Sequence, residues 1–193
     1  MTDAAAKSDQ RRAVRARRAG RPESEREAAG AALASHAGLI DARTVAAFVG
    51  GRGEPPTLPL LGALVDRGVR VLLPLLREDM DLEWAELGSP DDLRPGPRGI
   101  LQPGGPSLGL EAVGAAELVL APALAVDREG RRLGQGGGSY DRALGRTDAP
   151  VTAIVFDDEF LEAEDVPVED HDRRVDAALT PGRGVVWLRG PGA

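Results

Sequence analysis

Four of the five residues from Gly134 to Gly138 are glycine, with Arg131 and Arg132 just before them and Ser139, Tyr140, Asp141 and Arg142 just after. Glycine lets backbone N–H groups approach an anion with no side chain in the way, and consecutive amides in such a turn make a concave anion site. A helix starting at Ser139 would aim its unpaired N–H groups at the same point. Arg131, Arg132 and Arg142 add charge, Arg132 from the position nearest the loop. The construction suits a polyphosphate. It is not a Walker loop, which needs Lys and then Ser or Thr after its last glycine. Nor is it the dinucleotide fingerprint, whose third glycine, counted from Gly134 and Gly136, would stand at 139, where the chain has Ser. A tight turn would explain the glycines alone equally well, so the surrounding elements carry weight.

Those elements alternate between strands and helices. Residues 4–18 predict a basic helix, and Pro22 followed by Glu23, Glu25 and Glu27 starts a second one ending near Gly38. The apolar run at 44–49 predicts a buried strand, residues 56–66 a helix, and residues 69–73 a strand stopped by Pro74. Residues 82–87 alternate apolar and polar, as an antiparallel or edge strand does. Residues 88–109, crowded with Gly and Pro, read as mostly loop. The longest apolar run, 118–126, predicts a central strand with Pro122 near its carboxyl end, leading directly into the glycine segment, and 151–156 and 184–188 predict two more strands. The expectation is a three-layer α/β/α sandwich around a mainly parallel sheet, a single domain spanning 1–193, with the site at the strands' carboxyl ends.

Composition narrows the function classes. With 24 Lys and Arg against 31 Asp and Glu the formal charge is −7, which argues against a protein that mainly coats nucleic acid. The basic amino end lacks the apolar stretch of a secretory signal, and no run is long enough to span a bilayer. There is no cysteine, so disulfides and thiolate metal sites are excluded. A cytoplasmic monomer acting on a small molecule, with no nucleic-acid or membrane partner, is the expectation. Lys7 is the single lysine in a chain that otherwise uses arginine. It reads either as a placed ammonium or as part of a solvated helix face.

The segments Pro122-Ala-Leu-Ala-Val-Asp127 and Gly130-Arg-Arg-Leu-Gly-Gln-Gly-Gly-Gly-Ser-Tyr-Asp-Arg142 closely resemble the signature of the 5-formyltetrahydrofolate cyclo-ligases, or methenyltetrahydrofolate synthetases. That signature runs Pro-Gly-x-Ala-Phe-Asp, then Gly-x-Arg-Leu-Gly-x-Gly-x-Gly-Tyr-Tyr-Asp-Arg. Lys7 and Arg11 are similar to the family's Lys-x-x-x-Arg, though Arg11 and Arg15 share the spacing. Glu54 and Thr57 resemble its Glu-x-x-Thr, Leu73 and Pro74 its strand-ending Leu-Pro, and residues 99–103 its Gly-Ile-x-Glu/Gln-Pro. Residues 166–172, Asp176 and Thr180 resemble its closing Leu-Pro-x-Glu-x-His-Asp, Asp and Thr. Ser139 stands where the first paired tyrosine would be, and Ala123 and Val126 replace Gly and Phe.

The resemblance implies ATP-driven closure of 5-formyltetrahydrofolate, with or without a polyglutamate tail, to 5,10-methenyltetrahydrofolate, with release of ADP and phosphate and with Mg2+. It implies catalytic roles for Lys7, Arg132 and Tyr140. ATP would be held by Lys7, Arg11, Arg132, Leu133, Gly134, Gln135, Gly136, Gly137, Gly138, Ser139, Tyr140 and Asp141. The folate would meet Val49, Glu54, Gly136, Gly137, Gly138, Ser139 and Tyr140, and Mg2+ would be held by Asp141 and Asp176. Plainer readings stand beside these: Asp141 as a first-turn helix acid, Asp176 as a surface acid, Glu54 as a loop carboxylate, His171 as a turn residue, and Trp84 and Trp187 as packing. Two other functions stay open on sequence: a nucleotide-binding module without turnover, and a sugar-phosphate isomerase-like enzyme that needs neither ATP nor Mg2+.

Overall fold

The computed structural model describes residues 3–51, 53–162, 166 and 173–188. Two helices come first, α1 (Asp3–Ala19) and α2 (Glu23–Ser35). Pro22 precedes α2, where its fixed φ suits a helix start, and Glu23 and Glu25 occupy the first turn. Then β1 (Thr44–Ala46), α3 (Leu58–Asp66) and β2 (Arg70–Leu76) form a strand–helix–strand unit with parallel strands. β3 (Leu82–Glu86) returns antiparallel to β2, and β4 (Leu93–Pro95) and β5 (Leu101–Pro103) make a separate ribbon. Next are β6 (Leu118–Pro122), the antiparallel pair β7 (Ala125–Asp127) and β8 (Arg132–Leu133), and α4 (Ser139–Leu144). β9 (Val151–Ile154), β10 (Phe160–Leu161), β11 (Ala177–Thr180) and β12 (Gly184–Trp187) follow.

Seven strands form one sheet in the order β12-β11-β9-β6-β1-β2-β3, parallel except at its two edges. Successive side chains point to opposite faces of a strand, which is why the nearly continuous apolar runs can fill two cores. Val45, Val71, Leu73, Leu120, Ile154 and Leu179 share one core with Leu33 of α2 and Leu60, Leu61 and Leu64 of α3. Ala46, Leu72, Val119, Ala121, Ala153 and Ala178 share the other with Val113 and with Ala143 and Leu144 of α4. The sandwich with a mainly parallel sheet is therefore as the sequence predicts. Its second helical layer is slender, because α4 has six residues.

α1 packs on the smaller sheet β10-β7-β8, with Val14 against Leu124, Ala125 and Leu133. Lys7, Arg11, Val14 and Arg18 recur at spacings of four and three, so one helix face carries them all. Arg18 and Glu159 are buried, 4% and 0% exposed. Arg18 Nε and Nη2 donate to the two Glu159 oxygens at 2.7 Å each, and Nη2 also donates to the Ala123 carbonyl at 2.6 Å. A guanidinium is tolerable in a core only when it is partnered in this way.

Three expectations need correction. Pro74 does not end β2. The Leu72 carbonyl accepts from Ala47 on the β1 side, so Pro74, two residues on, turns its nitrogen to the same side, past the point where β1 pairing stops. β2 continues to Leu76 on β3 alone. The central strand does end at Pro122, as expected, but the rest of the 118–126 run is a second strand, because the chain leaves the main sheet there and enters the β7–β8 hairpin. Asp127, 2% exposed, organises that hairpin. Its carboxylate accepts the N–H groups of Glu129, Arg131 and Val166 at 2.9, 3.0 and 2.9 Å and Arg131 Nε at 2.6 Å. Finally, 88–109 contains a ribbon as well as loop, and β11 is a strand the sequence pattern did not mark. His171 lies outside the described residues.

Candidate active site

From β1 the chain builds the sheet outward through β2, whereas β6 leads the other way to β9. Their adjacent carboxyl ends form a topological switch point, where the outgoing connections part and leave a crevice. A cavity of about 410 Å3 opens there. One wall is apolar: Phe48 and Val49 beyond β1, Pro74 and Leu76 at the end of β2, Met80 and Leu82 at the turn into β3, and Ile100 from the β4–β5 ribbon. Glu54, Arg132, Gly134, Gln135, Gly136, Gly137, Gly138, Ser139, Tyr140 and Asp141 supply a polar side.

Gly136 and Gly138 have φ of 95° and 70°, left-handed conformations that strain any residue with a Cβ. A Cβ on Gly136 would also sit 3.4 Å from the Arg11 guanidinium carbon. Among the described residues, the backbone N–H groups of Gly136, Gly137 and Gly138 donate no hydrogen bond. They are available to an anion. The short α4 adds little dipole, so the loop's own amides carry the attraction.

α1 closes over this loop. Arg11 Nε donates to the Gly134 carbonyl at 3.0 Å, and Arg15 Nη2 donates to the Gln135 carbonyl at 2.9 Å. Gln135 Oε1 accepts from Arg15 Nη2 at 3.1 Å, while its Nε2 donates to Glu54 Oε1 at 3.1 Å. The second Glu54 oxygen accepts the Gly51 N–H at 2.9 Å. Thr57 shapes the same connection, donating to the Phe48 carbonyl at 2.7 Å and accepting the Gly50 N–H at 2.8 Å. Helix, glycine loop and β1–α3 connection are thus tied together across the cavity.

Residues 3–181 match the model of the 5-formyltetrahydrofolate cyclo-ligase family. The chain belongs to that family. It is 42% identical over 192 residues to a 5-formyltetrahydrofolate cyclo-ligase of Mycolicibacterium smegmatis, covering 95% of this chain and 97% of that protein. The Escherichia coli 5-formyltetrahydrofolate cyclo-ligase is 30% identical, covering 89% and 97%. The NMR structure of Aquifex aeolicus 5,10-methenyltetrahydrofolate synthetase superposes with a TM-score of 0.80 at 26% identity, covering 97% of this chain and 95% of that one. A 5,10-methenyltetrahydrofolate synthetase from Mycoplasma pneumoniae superposes at 0.69 with 15% identity, a likeness of fold. Cyclo-ligases are ATP-dependent ligases, and this chain is an enzyme of that class.

In this cyclo-ligase Arg132 is almost enclosed. Its Nη1 donates to the Pro122 carbonyl at 3.1 Å, its Nη2 pairs with Asp141, and its buried Nε has no acceptor among the described residues. The Tyr140 hydroxyl is likewise buried with no partner. Burial, and then the charge of Glu54, push this phenol above its ordinary range, so it is a neutral donor at any physiological pH. Lys7 is buried on the same α1 face as Arg11 and does not line the cavity.

Two expected site residues are placed elsewhere. Leu133 is 1% exposed and packs against Val14, so its side chain serves the α1 contact. Asp176 precedes β11 at the amino edge of the sheet, where its carboxylate accepts the N–H of Val151, the first residue of β9, at 2.7 Å. Pro122 at the cavity pairs with Ile154, at the other end of β9, some 10 Å of strand away. Asp141 and Asp176 are not brought together, because the parallel strands hold them at opposite edges. No group of three or more His, Asp or Glu among the described residues is arranged to hold a metal ion. Trp84 is core, as expected, but Trp187 is 75% exposed. Sequence reading missed the wall residues Arg15, Met80, Arg98 and Gln102. The spacing Arg11-x-x-x-Arg15 was the signal for the first and the family's Gly-Ile-x-Glu/Gln-Pro for Gln102, whereas Met80 and Arg98 had none.

Proposed function

We propose that this cyclo-ligase converts 5-formyltetrahydrofolate to 5,10-methenyltetrahydrofolate in the crevice between β1 and β6, using ATP and releasing ADP and phosphate. A formyl oxygen is a poor leaving group. Transfer of the γ-phosphoryl group to that oxygen turns it into phosphate; N10 then bonds to the formyl carbon, loses its proton, and the C–O bond breaks. This needs in-line placement and charge neutralisation rather than a protein nucleophile. The observation that carries the reading is the row of undonated amides at Gly136, Gly137 and Gly138, flanked by Arg11, Arg15 and Arg132.

On this reading the loop amides and Arg132 receive the phosphates, with Arg11 and Lys7 adding charge from α1. Val49 and the apolar wall take the ring faces of the folate, and Glu54 accepts from the amino and ring N–H groups of the pterin. The Tyr140 hydroxyl donates to a substrate oxygen, and Ser139 offers a small polar rim in place of a ring. Asp141 is the carboxylate that would hold Mg2+, sharing it with phosphate oxygens and water. The ion would supply charge neutralisation at the phosphates. We read residues 1–193 as one domain, a cytoplasmic monomer that accepts mono- or polyglutamylated folate.

The test is turnover in protein, ATP, Mg2+ and 5-formyltetrahydrofolate, followed by the near-ultraviolet absorbance of the methenyl product. Product should form only with ATP. Asp141→Asn should raise the Mg2+ needed for half-maximal rate about tenfold, equivalent to ~1.4 kcal/mol, while Asp176→Asn stays close to the parent. ATP binding without product would make the chain a nucleotide-binding module, and product without ATP would refute the mechanism.

A further inference from the structure

We infer that Arg98 is a specificity-determining residue that grips a free carboxylate on the glutamate tail of the folate; the inference rests on the folate reading above. The other described arginines are engaged. Among the described residues, every other one pairs with a carboxylate or donates to a carbonyl, on the surface as in the core. Arg98 alone makes no hydrogen bond or ion pair, yet it lines the cavity beside Ile100 and Gln102. Its location is the tip of the β4–β5 ribbon. The tip is pinned by backbone bonds from Gly96 N–H to the Ile100 carbonyl at 2.8 Å and from Ile100 N–H to the Pro97 carbonyl at 3.1 Å.

The backbone makes the same point. Arg98 has φ of 58°, a left-handed conformation costly for a long side chain, and it neighbours Gly99 at 73°. Glycine would fit position 98 with less strain. A strained residue held at a cavity by a pinned turn points to use of its side chain.

The chemistry of the occupant follows from what the cavity already has. Neither of its carboxylates is paired with Arg98: Glu54 accepts from Gly51 and Gln135, and Asp141 pairs with Arg132. The cations placed for phosphate, Arg11 and Arg15, hold the glycine loop, whereas Arg98 stands on a different element next to the apolar Ile100. An open guanidinium beside an apolar surface matches an aryl group ending in a carboxylate, because the planar fork takes a carboxylate through two N–H groups at once. The aminobenzoyl-glutamate portion of a folate is such a group.

The test compares two substrates on the full chain: 5-formyltetrahydrofolate, and 5-formyltetrahydropteroyl amide, in which a neutral carboxamide replaces the glutamate so that no carboxylate remains. The parent should prefer the first by KM. Arg98→Gln should raise KM for the glutamate-bearing substrate about fivefold, the scale of one charge-assisted contact near solvent. It should leave KM for the pteroyl amide and for ATP in place, and Arg98→Lys should recover part of the preference. Equal losses on both substrates, or a rise in KM for ATP, would overturn the assignment. Calorimetric binding of the same two compounds without ATP gives the comparison independently of turnover. If the parent binds both equally, Arg98 fails while the folate reading stands; if it binds neither, both fail.

Discussion

Arg18→Met should loosen α1 from the rest of the protein. In the parent, Arg18 makes two bonds of 2.7 Å to Glu159 and one of 2.6 Å to the Ala123 carbonyl, with both ionised side chains out of water. Methionine approximates the volume but leaves the Glu159 carboxylate with the Phe156 N–H at 3.0 Å as its remaining donor. Stranding a buried charge in this way costs about 3–5 kcal/mol, a large part of a typical stability of roughly 5–15 kcal/mol. At roughly 2–4 °C per kcal/mol for a chain of this size, Tm should fall by about 6–20 °C. Urea unfolding, followed by the fluorescence of the fully buried Trp84, measures the loss. Adding Glu159→Gln removes the stranded charge, so the double variant should be more stable than the sum of the single losses by at least about 2 kcal/mol. Because Arg11 and Arg15 ride on the same helix, KM for ATP should rise more in the single variant than in the double. A single variant within about 1 kcal/mol of the parent, or single losses that merely add, would show that this pair does not hold the helix.

Tyr140→Phe should leave Tm unchanged or slightly higher, since the buried hydroxyl has no partner to lose, while kcat/KM falls about tenfold if that hydroxyl meets substrate; unchanged activity would remove Tyr140 from the reaction. Asp81 accepts Arg146 Nη1 and Nη2 at 2.9 and 2.6 Å, and that bond holds its carboxyl below the usual value against the opposing effect of burial. The contribution is therefore complete above the unfolded aspartate range near pH 4 and is lost as pH falls through the lower folded value. Urea titrations stepped down from pH 7 should show the parent more stable than Asp81→Asn at neutrality and the gap closing as pH falls below about 4, and a gap that does not narrow would contradict the ion-pair origin.

Periodicity and glycine placement made much of this protein legible. Glu23 and Glu25 behind Pro22, the apolar runs, and the paired Gly136 and Gly138 each correspond to a local physical constraint that a reader can see. What stayed hidden depended on the third dimension. Pro74 looks like a strand terminator until it is known that its nitrogen faces the side where β1 has already ended. Ala125 to Asp127 look like more of the central strand, because alternation cannot say which sheet a strand joins. Asp176 shares a family position with a proposed ligand, yet strand direction carries it to the edge away from the cavity. Arg15 was visible as an ambiguous repeat of the Lys7 spacing, and both registers of that repeat lie along the same helix. Arg98 had no signal at all, since a free side chain is recognised only by the absence of neighbours.

The helix that closes over the glycine loop belongs to the first tenth of the chain, and its partners come late. Arg11 and Gly134 are 123 positions apart, Arg15 and Gln135 120, and Arg18 and Glu159 141. During synthesis α1 must therefore wait with a charged face and a bare Val14 until most of the protein has emerged. Contacts that span such separations are slow to form, so the glycine-loop end of the cavity is completed near the finish of folding. Nascent chains halted before residue 159 would have their anchor's partner missing, and competence to bind would switch on abruptly with length rather than accumulate.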